Sequence, residues 1–142
     1  MNKADKAVNC FNSGYNCAQA VFFPYCDELG ISQDFANKIA SGFGAGMGRL
    51  QEVCGVITGV AMILSLKYGS TEIDIDSKEK LYGLIQEFNR RFKARYETII
   101  CKDLLKTDLT KGDKETNAIR VGQFCPKVVK DAVEILEEII AK

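Results

Sequence analysis

The fold is decided by residues 41–68, SGFGAGMGRLQEVCGVITGVAMILSLKY, which join a glycine-rich bend and a cysteine to the longest apolar run of the chain. Between residues 53 and 66 only Thr58 and Ser65 are conventionally polar, so the segment predicts a helix that is apolar on all sides. At about 1.5 Å per residue this helix is too short to cross a hydrocarbon layer of about 30 Å. We therefore expect a buried central helix near residues 52–68 and no membrane span.

Cys54 lies at the start of this predicted helix, where unpaired N–H groups and the helix dipole favour a thiolate. Gly55 and Gly59 follow it four residues apart and share one helix face. Because that face lacks side chains, the backbone of another helix can approach it closely. The sequence thus predicts a tight helix contact on the side next to the sulfur.

The segments before the central helix also have helical periodicity. Asn2 and Ser32 are plausible caps for a first and a third helix, and a second helix begins near Tyr15. Cys17 falls in the opening turn of that second helix. The glycines at positions 42, 44, 46 and 48 then alternate with other residues, but they match neither a dinucleotide fingerprint nor a P-loop. Two interpretations of this bend stay open: a tight connection between helices, or a loop that brings backbone amides close to a bound group.

The segments after the central helix continue the pattern. An apolar stripe predicts a long helix that begins near Asp76 and has Cys101 at its end. Residues 106–122 are polar without a sustained period and predict a long loop. The last helix is predicted to begin near Pro126, with Cys125 at its cap. No stretch alternates as a strand does, so we expect an all-α fold, a compact bundle of four to five main helices.

The amino-acid composition argues against several classes of function. The 142 residues predict one domain, and 19 basic residues balance 19 acidic ones, which argues against a nucleic-acid partner. Histidine is absent, which removes the usual general base, the commonest metal ligand and any Cys-His nucleophile. The N-terminal sequence MNKADKAVNCF lacks the apolar core of a signal peptide, so we expect a cytoplasmic protein. The apolar helices would also allow a homodimer.

Cysteine is the unusual residue type, with six in the chain: Cys10, Cys17, Cys26, Cys54, Cys101 and Cys125. In a reducing compartment paired structural cystines are rare, which favours catalytic, redox or metal-binding roles for these cysteines. Cys17, Cys54 and Cys125 stand at predicted helix starts, where thiolates are stabilised. Cys101, at a predicted helix end, would suit the less acidic partner of a disulfide or a metal ligand. We interpret Cys10 and Cys26 as packing residues.

Four of these cysteines also carry a resemblance to a known family. The stretch GYNCAQAV at residues 14–21, the glycine bend, the stretch CGVITG at residues 54–59, and two later cysteines resemble the C-GCAxxG-C-C family of redox-active proteins. The family's four cysteines map onto Cys17, Cys54, Cys101 and Cys125. Val56 stands where the family motif has alanine, a small apolar exchange. The resemblance implies a redox role and selects the same four candidate site residues.

Three functions remain open at this point. The first is thiol–disulfide exchange or electron transfer with a redox partner or small molecule, in which Cys54 or Cys125 attacks and Cys17 or Cys101 resolves. The second is a metal or iron–sulfur protein in which all four cysteines are ligands. The third is a non-catalytic helical binding module. Because no C-x-x-C pair is present, any disulfide must join separate helices.

Overall fold

The computed structural model describes residues 1–141, which form eight α-helices. In chain order these are α1 (Lys3–Asn12), α2 (Cys17–Phe22), α3 (Cys26–Leu29), α4 (Gln33–Ala40), α5 (Gly55–Tyr68), α6 (Ile75–Tyr96), α7 (Cys101–Leu105) and α8 (Lys114–Ile140). Five of them are eight residues or longer, and within this range two residues form an isolated β-bridge but none forms a strand. The prediction of an all-α fold with four to five main helices is confirmed.

The centre of the bundle is α5, which packs against α2, α6 and α8. Its residues Val56, Val60, Ile63 and Leu64 are almost completely buried. The helix is surrounded by protein because it has no polar face to turn toward solvent. The expected buried central helix is therefore present, and it begins at Gly55 with Cys54 as its N-cap.

The contact between α2 and α5 is close enough to bring the two backbones together. A Cβ atom placed on Gly59 would lie 3.0 Å from the Ala18 carbonyl oxygen, and one on Gly55 would lie 3.0 Å from the Ala18 amide nitrogen. The two glycines thus provide the side-chain-free face that the sequence predicted. Because of these two glycines, the start of α2 lies directly against the start of α5.

The remaining helices enclose this pair. α1 packs on α2 and α8, while α6 places Phe88 and Phe92 in the core. The two predicted caps are present: the Asn2 side chain accepts a hydrogen bond from the Asp5 amide at 2.8 Å, and the Ser32 hydroxyl accepts one from the Phe35 amide at 3.0 Å. Among residues 1–141 no helix is both long and apolar enough to cross a membrane.

The predicted start of the last helix is wrong. α8 begins at Lys114, where the Asp113 carboxylate caps it by accepting a hydrogen bond from the Thr116 amide at 2.9 Å. Only the first part of the predicted loop over residues 106–122 is therefore non-helical. Pro126 lies inside the helix, where it cannot donate the hydrogen bond to the Gly122 carbonyl. Cys125 is consequently a mid-helix residue and is not at a helix N-terminus.

The predicted position of Cys101 at a helix end is also wrong. α6 ends at Tyr96 because Glu97 adopts a left-handed conformation with φ of 68°. Thr98, Ile99 and Ile100 follow, and three successive β-branched residues favour extended backbone. Cys101 then begins the short helix α7.

Candidate functional site

A single cavity of about 810 Å³ brings the four candidate cysteines together. Cys17, Cys54, Cys101 and Cys125 all line it, although they belong to four different helical segments. The first three are nearly buried and Cys125 is half-buried. Cys10 and Cys26 do not line the cavity and lie in the hydrophobic core.

Cys17 is held at the start of α2 by a reciprocal cap. The Asn16 side-chain oxygen accepts a hydrogen bond from the Gln19 amide at 2.9 Å, and the Asn16 amide donates to the Gln19 side chain at 2.8 Å. The Asn16 side-chain amide also donates to the carbonyls of Ala40 and Ser41, at 3.3 and 3.1 Å. This one side chain therefore ties the start of α2 to the chain that enters the glycine bend.

Cys54 and Cys101 begin neighbouring helices because the segments before them are paired. The Cys54 amide donates to the Ile99 carbonyl at 2.7 Å, and the Cys101 amide donates to the Glu52 carbonyl at 2.6 Å. Val53 and Ile100 form an antiparallel β-bridge between these bonds. The pairing holds the first turns of α5 and α7 side by side at the wall of the cavity.

The side chains of Cys17 and Cys54 lie next to each other on the cavity wall, and both residues are reduced. Gly55 makes this contact possible, since a Cβ atom at that position would lie 2.9 Å from the Cys17 sulfur. The hydrogen bond from the Cys54 thiol lowers the pKa of Cys17. The same hydrogen bond, together with burial and the Cys17 charge, raises the pKa of Cys54 well above its usual value.

Backbone amides contribute to the difference in pKa between the two thiols. The amides of Ala45, Cys17 and Gly55 point toward the Cys17 sulfur and lower its pKa further, against the effect of burial. For Cys54 the Val56 amide has this effect. Cys17 is therefore the more acidic thiol of the pair, and Cys54 is the less acidic one.

A protein-family model matches most of the chain. The family model described as "Putative redox-active protein (C_GCAxxG_C_C)" matches residues 15–139. The chain belongs to the C_GCAxxG_C_C family. No match was found among curated proteins or among solved structures.

The glycine bend of this C_GCAxxG_C_C protein supplies one of the amides on Cys17. The five consecutive residues 45–49 all have positive φ angles, between 51° and 71°, and Gln51 has one of 56°. The Ala45 and Gly46 carbonyls accept hydrogen bonds from the amides of Gln51 and Glu52, both at 3.0 Å. The bend is thus a left-handed turn closed by its own hydrogen bonds, a conformation that is unfavourable for residues other than glycine. The amide that the bend provides acts on a sulfur of the protein itself, so the interpretation in which the bend holds a bound group stays a prediction.

Replacing Gly46 with alanine should disrupt this turn. A Cβ atom there would lie 2.5 Å from the Glu52 nitrogen and 2.6 Å from the Gln51 Cα, both backbone atoms that cannot move independently. Gly48 is a matched control, because it also has a positive φ but its nearest neighbour is 4.0 Å away. We expect Gly46→Ala to lower the free energy of unfolding by about 1–3 kcal/mol more than Gly48→Ala, measured by urea denaturation. Equal destabilisation by the two variants would contradict the described turn.

Cys101 and Cys125 differ from Cys17 in their protonation. Burial and the Cys17 charge raise the pKa of Cys101 to about 11, although the Gln51 side chain acts in the opposite direction. Burial and the charges of Cys17 and Cys101 raise the pKa of Cys125 to about 12. Both are therefore neutral thiols near pH 7, and the thiolate that the sequence predicted at Cys125 has no helix N-terminus to support it.

The four sulfurs do not form a ligand cluster. Within residues 1–141 no group of three or more His, Cys, Asp or Glu side chains is arranged to hold a metal ion. What the site does contain is one contacting pair and two further thiols on the same cavity wall. The alternative of a metal or iron–sulfur centre with four cysteine ligands stays a prediction.

Several residues that shape this site were not predicted from the sequence. Asn16 positions Cys17, and the Gln51 side chain holds the chain after α7 by donating to the Thr107 carbonyl and accepting from the Leu109 amide, both at 2.8 Å. The first half of α8 forms a cavity wall through residues at helical spacing: Lys114, Asn117, Ala118, Val121 and Cys125. That spacing is a signal in the sequence, but the residues are mostly polar or small and give no apolar stripe.

Proposed function

We propose that this protein is a thiol–disulfide redox protein that cycles between a reduced Cys17–Cys54 pair and a disulfide between the same two sulfurs. The observation that supports this most strongly is that Cys17 and Cys54 lie next to each other on one cavity wall, where the starts of α2 and α5 pack closely together. Thiol exchange requires an attacking thiolate and a second thiol within reach, and the pair supplies both.

The reaction balances without a metal or a bound cofactor. The Cys17 thiolate attacks one sulfur of a substrate disulfide, forms a mixed disulfide and releases the other half of the substrate as a thiolate. The Cys54 thiol then loses its proton and attacks the Cys17 sulfur, which releases the second half of the substrate. The protein gives up two electrons and one proton in total, and the substrate disulfide takes them up as one thiolate and one thiol.

The roles in this scheme differ from those expected from the sequence, where Cys54 or Cys125 would attack. The amides on Cys17 favour it as the attacking sulfur, and the contact with Cys54 makes Cys54 the resolving one. Cys101 and Cys125 are neutral thiols on the same wall, so they take no part in the first attack. The proposal places the protein in the cytoplasm, where reducing systems return such a disulfide to the dithiol.

Alkylation across a range of pH tests this proposal. Only the thiolate reacts, so the rate at each cysteine falls as the pH drops below its pKa. Because the Cys17 pKa is lowered, its rate should stay high below the usual thiol range near pH 8.5, whereas the rates at Cys101 and Cys125 should fall well above that range. The measurement is iodoacetamide labelling from pH 5 to 10, with each cysteine followed by peptide mass spectrometry.

The same protein, treated with a mild disulfide oxidant and digested without reduction, should yield a peptide that joins Cys17 to Cys54. A cross-link between any other two cysteines would overturn the assignment of the pair. Six cysteines with the pH dependence of ordinary thiols, and no cross-link after oxidation, would favour the non-catalytic binding module instead.

A further inference from the structure

The mouth of the cavity carries positive charge without acidic residues. Arg49, on the left-handed turn, and Lys114, at the start of α8, both line the cavity and are exposed to solvent. No aspartate or glutamate from the described residues lines it. Within residues 1–141 neither Arg49 nor Lys114 forms an ion pair, although eight other Lys and Arg side chains do. Two unpaired cations from different parts of the chain therefore face the same opening.

The inner part of the cavity is suited to a short apolar stem. Phe11, Leu104, Leu105 and Val121 line its walls, and the Cys17–Cys54 pair lies in the same cavity. A substrate that reaches the sulfurs therefore enters a cavity that is lined both by the two cations and by these apolar side chains. The Cys17 thiolate contributes one negative charge, which the two cations more than balance.

The size and depth of the site favour a small molecule over a protein disulfide. The Cys17 and Cys54 residues are only 8% and 7% exposed, so a reacting disulfide has to enter the cavity. A volume of about 810 Å³ lies in the range of about 300–1,000 Å³ that is typical of small-molecule sites. A disulfide fixed on the surface of a folded protein could not reach these sulfurs without unfolding locally.

We propose that the substrate of this cavity is a small disulfide that carries carboxylates, with its S–S bond at Cys17 and its carboxylates at Arg49 and Lys114. This inference rests on the proposed thiol–disulfide function and names its substrate class. Arg49 forms a planar, two-pronged donor for one carboxylate, and Lys114 provides a point charge for the other. The reaction oxidises the Cys17–Cys54 pair to a disulfide and reduces the substrate to two carboxylate-bearing thiol molecules, one of them released as a thiolate.

Three disulfides of matched length test the effect of substrate charge separately from intrinsic reactivity. They are 3,3′-dithiodipropionate with two negative charges, bis(2-hydroxyethyl) disulfide with none and cystamine with two positive charges. Each is mixed with the reduced protein, and formation of the Cys17–Cys54 disulfide is followed by mass spectrometry. Each rate is divided by the rate of the same disulfide with free 2-mercaptoethanol, so that intrinsic reactivity cancels. We expect the dianionic disulfide to be favoured over the neutral one by about tenfold at low salt, and cystamine to be disfavoured.

Variants of the two cations provide the second comparison. The Arg49→Gln, Lys114→Gln double variant should lose the preference for the dianionic disulfide, and the Arg49→Glu, Lys114→Glu double variant should reverse it toward cystamine. Lys6→Gln is the matched control, because Lys6 is exposed and does not line the cavity; it should leave the order unchanged. Added salt should reduce the preference of the wild-type protein, since salt screens exposed charges.

The outcomes distinguish this inference from the function on which it rests. If all three disulfides form the Cys17–Cys54 bond at equal normalised rates, the substrate class is wrong and the redox function stands. If none of them forms that bond, the redox function itself is overturned. Should a variant fail to fold, the normalised order of the three disulfides with the wild-type protein decides the question alone.

Discussion

Cys17→Ser should abolish the reaction with disulfides, whereas Cys54→Ser should stop it halfway. Serine at position 17 has no thiolate, so no attack takes place. Serine at position 54 keeps a hydroxyl that can donate a hydrogen bond to Cys17, so the attack proceeds. No second thiol then lies in contact with the Cys17 sulfur, and the mixed disulfide accumulates. Intact-mass spectrometry measures this directly, because the protein gains the mass of half the substrate.

Cys54→Ala tests the origin of the Cys17 thiolate. Alanine removes the hydrogen bond that is the largest cause of the lowered Cys17 pKa, whereas serine retains a donor. A hydrogen bond to a charged group contributes about 1.5–3 kcal/mol, which corresponds to about a 10- to 100-fold change in an equilibrium. At a pH below the Cys17 pKa, alkylation of Cys17 should therefore slow by about that factor in Cys54→Ala and much less in Cys54→Ser. Equal rates in the two variants would show that the contact with Cys54 is not what stabilises the thiolate.

Gly55→Ala should destabilise the protein and impair the site together. Its Cβ atom would lie 2.9 Å from both the Cys17 sulfur and the Phe43 carbonyl oxygen, and 3.0 Å from the Ala18 amide nitrogen. Two of these atoms belong to the backbone, so α2 and α5 must move apart. Overpacking of this kind lowers the free energy of unfolding by about 1–3 kcal/mol. We also expect the contact between Cys17 and Cys54 to lengthen, which raises the Cys17 pKa and slows its alkylation near neutral pH.

Gly83→Ala is the matched control for this variant. Gly83 lies within α6 and is exposed, and a Cβ atom added to it would have no neighbouring atom within 4 Å, so the new methyl group meets nothing. Alanine in a helix interior is more favourable than glycine by about 0.5–1 kcal/mol. The two glycine-to-alanine changes should therefore shift the urea midpoint in opposite directions. A stabilising effect of Gly55→Ala would contradict the close contact between α2 and α5.

Local patterns in the sequence were sufficient to predict the helical class and the central helix. They also predicted the role of Gly55 and Gly59, because a pair of glycines at helical spacing leaves a bare face whatever the partner is. They could not identify that partner. The contact between Cys17 and Cys54 joins residues that are far apart in the chain, and it depends on how α2 crosses α5. The family resemblance selected the right cysteines for the cavity but contained no information on which two of them touch.

The errors near Cys101 and Cys125 have physical causes. Apolar stripes identify helices that pack against a core, but residues 114–122 line a cavity, so the stripe that would have marked their helix is missing. Pro126 was interpreted as a first helical residue because that is its commonest place in a helix. Before Cys101, the apolar stripe of α6 continues through Ile99 and Ile100, although these residues are extended. The run of β-branched residues before Cys101 was the signal for that change.

The left-handed turn also limits how this part of the sequence can change over evolution. Glycine would relieve the unfavourable backbone at Ala45, Met47, Arg49 and Gln51, yet a side chain is present at each. At three of these positions the residue has an identified use, since Ala45 and Arg49 line the cavity and Gln51 holds the segment after α7. Drift toward glycine there would ease the backbone but remove those contacts, and drift toward valine or isoleucine would add to the strain. A substitution to glycine at these positions thus improves the backbone conformation and removes side-chain contacts at the same time.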